Sequence, residues 1–65
     1  MIKVEFGIVN KVTNKTRYYL SEINELDDVA AQFEEIVKKG IKNEDDTFFF
    51  GREKSDFSYY IEDVG

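Results

Sequence analysis

The sequence predicts an α+β fold: a two-layer ββαββ sandwich in which one helix lies on one face of a four-stranded sheet. Three observations lead there. Apolar residues at Leu26, Val29, Ala30, Phe33, Ile36 and Val37 form one stripe of a 3.6-residue period. The segments before and after that stripe each read as a pair of strands. The chain has 65 residues and neither cysteine nor proline, so it has room for one domain with one small core. An amphipathic helix cannot bury its stripe alone, so the flanking segments must supply the facing layer.

The first strand is Ile2 to Ile8, where Ile2, Val4, Phe6 and Ile8 alternate with Lys3, Glu5 and Gly7. That period of two gives one buried face. Asn10 to Thr16 is polar, and Asn14-Lys15 suits a tight turn. Arg17 to Ile23 forms the second strand, with Tyr18 and Tyr19 favouring it by propensity. Register depends on the turn. A two-residue loop at Asn14-Lys15 sets Ile8 opposite Ser21 and Phe6 opposite Ile23, with Tyr19 on the core face and Leu20 outside. An odd loop or a bulge reverses this. The reading favours Tyr18 and Leu20 inward, because that keeps Ser21 out of the core.

The helix is expected at about 25–39. Asn24 or Asp27 can cap its start, since a short side-chain oxygen accepts from a free backbone N–H there. Asp27 and Asp28 at the start and Lys38 and Lys39 at the end complement the helix dipole. Glu34 with Lys38 and Glu35 with Lys39 are i,i+4 pairs in the favourable order. Gly40 followed by Ile41 reads as a left-handed stop.

Lys42 to Asp46 is a charged loop. Thr47 to Arg52 reads as a third strand, Glu53 to Asp56 as a turn and Phe57 to Glu62 as the last strand. This pairing sets Phe50 opposite Tyr59 and Phe48 opposite Ile61, on one face with Phe57. Phe49, Ser58 and Tyr60 take the other face. A right-handed crossover through the helix places the first and last strands side by side, parallel, in the centre. In length, element order and the spacing of helix, Gly40 and hairpin, the layout resembles the β-grasp fold of streptococcal immunoglobulin-binding domains. The resemblance implies an architecture and carries no function.

Net charge is −5 and uneven. Residues 1–20 hold four basic side chains against one acidic, and residues 21–65 hold five against thirteen. Such a body disfavours nonspecific binding to nucleic acid or anionic membranes. No apolar run is long enough to span a membrane, and no signal segment opens the chain, so a cytoplasmic protein is expected. Without cysteine or histidine, the commonest metal ligand and general base are missing, and Ser21, Ser55 and Ser58 stand in no recognisable base–nucleophile context. Gly7, Gly40, Gly51 and Gly65 are isolated and form no phosphate loop. Asn43-Glu44-Asp45-Asp46 lacks calcium-loop spacing. The expectation is no enzyme, no cofactor and no metal.

What remains is binding. A single helix leaves one sheet face open, and the predicted register puts Tyr19, Phe49 and Tyr60 there beside Val9. A contiguous exposed aromatic cluster marks an interaction surface; the plainer explanation is cross-strand packing that stabilises a small sheet. The function expected is therefore a small acidic protein-binding module of inhibitor or adaptor type, with a size and acidity that suit a bacterial or phage-encoded protein. One alternative is an acidic mimic of DNA that blocks a DNA-binding protein through Asp28 and Glu35. Those carboxylates stand roughly 10 Å apart along one helix face, a loose match to the ~7 Å phosphate step. Another is a structural homo-oligomer, since a small core and an open face or edge invite a homodimer.

Overall fold

In the computed structural model, which describes residues 1–65, strand β1 (Ile2–Asn10) forms the middle of a three-stranded antiparallel sheet in the order β2-β1-β3. Strand β2 (Lys15–Ile23) flanks it on one side and β3 (Phe57–Val64) on the other. Helix α1 (Asp28–Lys42) covers one face. No helix is long and apolar enough to cross a membrane.

The α+β class and the helix-on-sheet layering hold; the fourth strand does not. Residues 47–51 are turns, and a short 3-10 helix at Lys54–Asp56 leads into β3. Three consecutive phenylalanines favour a strand by propensity, but Asp46 folds them into a turn. Its Oδ1 accepts from the Phe48 N–H at 3.1 Å, and its backbone oxygen accepts from the N–H groups of Phe49 and Phe50 at 3.3 and 3.0 Å. Gly51, at φ 76°, ends the segment in a conformation other residues rarely adopt. The pairings of Phe50 with Tyr59 and Phe48 with Ile61 are therefore absent.

Loss of that strand also changes the sheet's sense. Asp46 and Phe48 sit against Arg17 and Asn10, at the end of the sheet where β2 begins. The helix has thus carried the chain back, and β3 runs in the same direction as β2. It pairs antiparallel with β1, where a parallel pair was expected, so the β-grasp arrangement is not formed.

The first hairpin closes on a four-residue loop, Lys11–Asn14, with Asn14 at φ 60°. Ile8 faces Arg17 and Phe6 faces Tyr19. The favoured register is thereby reversed: Tyr19 lies on the core face, and Tyr18 and Leu20 point away from it. Asn10 makes this loop possible. Its buried Oδ1 accepts from the Val12 and Thr13 N–H groups at 3.0 and 3.3 Å, and its Nδ2 donates to the Phe48 carbonyl at 3.0 Å.

Val4, Phe6 and Ile8 of β1 are fully buried against Val29, Phe33 and Val37 of α1. Each such side chain contributes about 1.5–3 kcal/mol relative to exposure. The helix begins later and ends later than expected. A turn over residues 25–28 precedes it, and the Asp28 carboxylate reaches back to the N–H groups of Asn24 and Glu25, so neither Asn24 nor Asp27 caps by side chain. Leu26 stays exposed in that turn. Gly40 is no stop: it is helical and buried because the Phe49 ring lies on it.

Candidate functional site

The open face of the sheet is built from the odd residues of β1 and their neighbours. Side chains alternate across a strand, so burying Val4, Phe6 and Ile8 turns Lys3, Glu5, Gly7 and Val9 outward. The register then brings Tyr18 of β2 and Tyr60 of β3 to either side of Gly7. With no side chain between them, the two tyrosines meet over the glycine. Their rings stand edge to face, 6.4 Å apart at 89°, and the Tyr60 hydroxyl donates to that of Tyr18 at 3.0 Å. A Cβ at Gly7 would lie 2.9 Å from the Tyr60 ring.

This bridge is exposed, Tyr18 by 56% and Tyr60 by 38%, and Leu20 beside it by 79%. A shallow depression of about 130 Å³ lies next to it, lined by Lys3, Glu5, Leu20, Asp63 and Gly65. The rim is acidic: Lys3 stands alone against Glu5, Glu22 and Asp63. The Tyr60 hydroxyl is pushed up to about 12, mainly by its hydrogen bond to Tyr18, with the charges of Glu62 and Glu5 acting in the same direction.

Of the three aromatic residues expected here, only Tyr60 belongs to the surface. Phe49 is 1% exposed and packs in the core on Phe48, Phe57 and Gly40. Its displacement follows from the lost strand. Tyr19 stacks on Phe6 on the helix side, rings 5.5 Å apart, and burial raises its hydroxyl above the ordinary value. Tyr18 and Leu20 take its place on the open face. Any even-numbered loop after Asn10 gives this parity, and the evenness is set by the Asn10 side chain and not by the strand pattern.

The acidic residues of the helix have partners within the chain. Asp28 accepts from backbone N–H groups in the turn before α1, and Glu35 lies 3.7 Å from Lys39. Glu34 pairs with Lys54 at 2.6 Å, where Lys38 was expected, and this lowers its carboxyl below the usual value. No group of three or more carboxylates is placed to hold a metal ion.

At the hairpin end, Arg17 reaches Asp46 at 2.7 Å and lies 4.7 Å over the Phe48 ring. The guanidinium hydrogen bond holds the Asp46 carboxyl below its ordinary value and raises Arg17. A groove of about 190 Å³ beside them is lined by Asn10, Thr13, Lys15, Arg17, Thr47 and Phe48. Of its two cations, Arg17 is already paired with Asp46 and only the exposed Lys15 is not, so this end reads as a structural joint.

Comparisons with protein-family models, curated proteins and solved structures returned no match for this chain.

Proposed function

We propose that the chain is a protein-binding module of inhibitor or adaptor type, working in the cytoplasm without chemistry of its own, whose contact surface is the open sheet face centred on Tyr18, Tyr60 and Leu20. The observation that carries this reading is the tyrosine bridge over Gly7 with Leu20 beside it, exposed on a face that no helix covers. Tyrosines offer large, rigid contact area at low entropic cost and recur as anchors of protein interfaces. The acidic rim specifies a partner patch with an apolar centre and a basic surround. Two copies of this face set against each other would bring carboxylates together, which counts against face-to-face self-pairing.

The DNA-mimic alternative has less support, since Asp28 and Glu35 are both engaged within the chain.

Affinity capture with three forms tests the reading: wild type, Tyr18→Ser/Leu20→Ser, and Asp28→Lys/Glu35→Lys. All substituted side chains sit outside the core. The expected result is a basic partner held by wild type and by the helix variant, and lost at least tenfold by the sheet-face variant. Retention by the sheet-face variant, with loss in the helix variant and in high salt, would move the function to the carboxylates.

A further inference from the structure

The two edges of the sheet are not alike. In an antiparallel ladder, successive residues of an edge strand point their N–H and C=O groups alternately toward the neighbouring strand and away from it. The Lys11 N–H donates to the Asp56 carbonyl and the Gly65 N–H to the Lys3 carbonyl. Odd residues of β1 therefore bond to β3 and even residues to β2. On β3, ahead of the register shift at Glu62, the groups left pointing out are those of Tyr59 and Ile61 and the Phe57 carbonyl; the Phe57 N–H is taken by the Lys54 carbonyl. On β2 they are those of Thr16, Tyr18, Leu20 and Glu22.

The side chains beside those groups differ. The helix-side rim of β2 is Lys15, Arg17, Tyr19 and Ser21, and charged or polar residues along an edge oppose the approach of another strand. The helix-side rim of β3 is Phe57, Tyr59 and Ile61, all apolar or aromatic. Tyr59 and Ile61 are 38% and 40% exposed although they face the core layer, because nothing lies beyond them. Tyr59 already packs on Phe33, with rings 4.9 Å apart.

We infer that β3 pairs antiparallel with β3 of a second copy about a two-fold axis at Tyr60, joining two sheets into one of six strands. Tyr59 then faces Ile61 of the other copy in a bonded pair, and Ser58 faces Glu62. This register keeps the acidic residues apart: Glu62 meets Ser58, and Asp63 lies beyond the paired span. The β-bulge at Glu62, where the β1–β3 register shifts, limits the pairing to residues 58–62. Both helices lie on the same side, and the half-exposed Tyr59 and Ile61 rims close on each other. Tyr60 leans over Gly7, away from the axis, so it does not obstruct the approach. The open faces of the two copies become continuous, which leaves the partner surface proposed above free. The dimer does not depend on that partner.

Sedimentation across a concentration series from micromolar to millimolar, with amide hydrogen exchange at both ends, tests it. The expected result is a mass that doubles, with Tyr59 and Ile61 amides slowing at high concentration while Tyr18 and Leu20 amides do not change. Ser58→Glu should raise the midpoint at least tenfold by setting Glu against Glu62, and Ser58→Lys should lower it. Position 58 is exposed, so neither change threatens the fold. Ile61→Lys, checked for native circular dichroism, should abolish dimerisation. A monomer throughout the range overturns the inference. So does a dimer that protects the Tyr18 and Leu20 amides, or one indifferent to the charge at position 58.

Discussion

Two glycines in this chain lie under aromatic rings, one on each side of the sheet, and they do different work. Gly40 lies under Phe49 inside the core, where an added Cβ would come within 2.4 Å of Phe49 Cγ and 2.7 Å of its Cβ. Gly7 lies under Tyr60 on the open face, where an added Cβ would come within 2.9 Å of Cε1 and Cζ. The first contact is with the root of a side chain that is 1% exposed; the second is with the tip of one that is 38% exposed. A root cannot move without its backbone, whereas a tip moves by rotating about χ1. Close approach inside the core therefore fixes structure. The same approach on the surface only chooses where a ring rests.

Gly40→Ala should give the largest effect. A helical alanine gains about 1 kcal/mol over glycine, but displacing Phe49 costs about 1–3 kcal/mol. A net loss is expected, read as a lower urea midpoint, and Phe49→Leu in the same chain should recover part of it. A midpoint at or above wild type for Gly40→Ala would show that Phe49 yields as freely as Tyr60.

Gly7→Ala should be nearly silent in the same assay. Strand glycine is disfavoured by roughly 0.5–1 kcal/mol, which offsets the lost tyrosine contact, so the net change should stay within about 0.5 kcal/mol. A large loss would mean that the tyrosine bridge holds the sheet together, and the plain cross-strand explanation of these aromatics would then gain weight over partner binding.

The smallest effect is visible only in alkali. Tyr60 loses its proton at about 12 where an ordinary tyrosine does so near 10, chiefly because it donates to Tyr18. A raised value means that the folded state holds the proton more tightly. The stability this contributes is complete below pH 10 and is lost as pH rises toward 12. Phenolate absorbance should show two late-titrating tyrosines in wild type, Tyr60 and the half-buried Tyr19. Tyr18→Phe, and Gly7→Ala if the ring swings aside, should bring Tyr60 back toward 10 and leave Tyr19 late. No change in Tyr18→Phe would remove the hydroxyl contact as the cause.

The helix and β1 could be read directly, because Val29, Phe33 and Val37, and Val4, Phe6 and Ile8, follow the two periods that burial imposes. The first hairpin could not. Its loop is set by Asn10, whose side chain satisfies two loop amides and a carbonyl 38 residues away, and neither propensity nor alternation records such a bond. Phe48 to Phe50 misled for a related reason. A run of three aromatics has no period, and the turn that claims it begins at Asp46. The candidate surface followed these two errors. Phe49 and Tyr19 left it, Tyr18 and Leu20 entered, and Tyr60 stayed because its own strand formed as expected.

The joint between hairpin and aromatic turn bears on how the chain is covalently connected. Residues 46–65 are held to residues 1–42 by the Arg17–Asp46 ion pair, the Asn10–Phe48 bond, the seat of Phe49 on Gly40 and the whole length of β3. Asn43, Glu44 and Asp45, which connect the two parts, are exposed and add only short-range bonds. The covalent link is thus the least of the attachments between them. Extra residues threaded in at Glu44 would lengthen a closed loop, at about 0.6 kcal/mol for each doubling. The fold therefore has a natural point of entry for a guest sequence, at the end of the sheet where β2 begins.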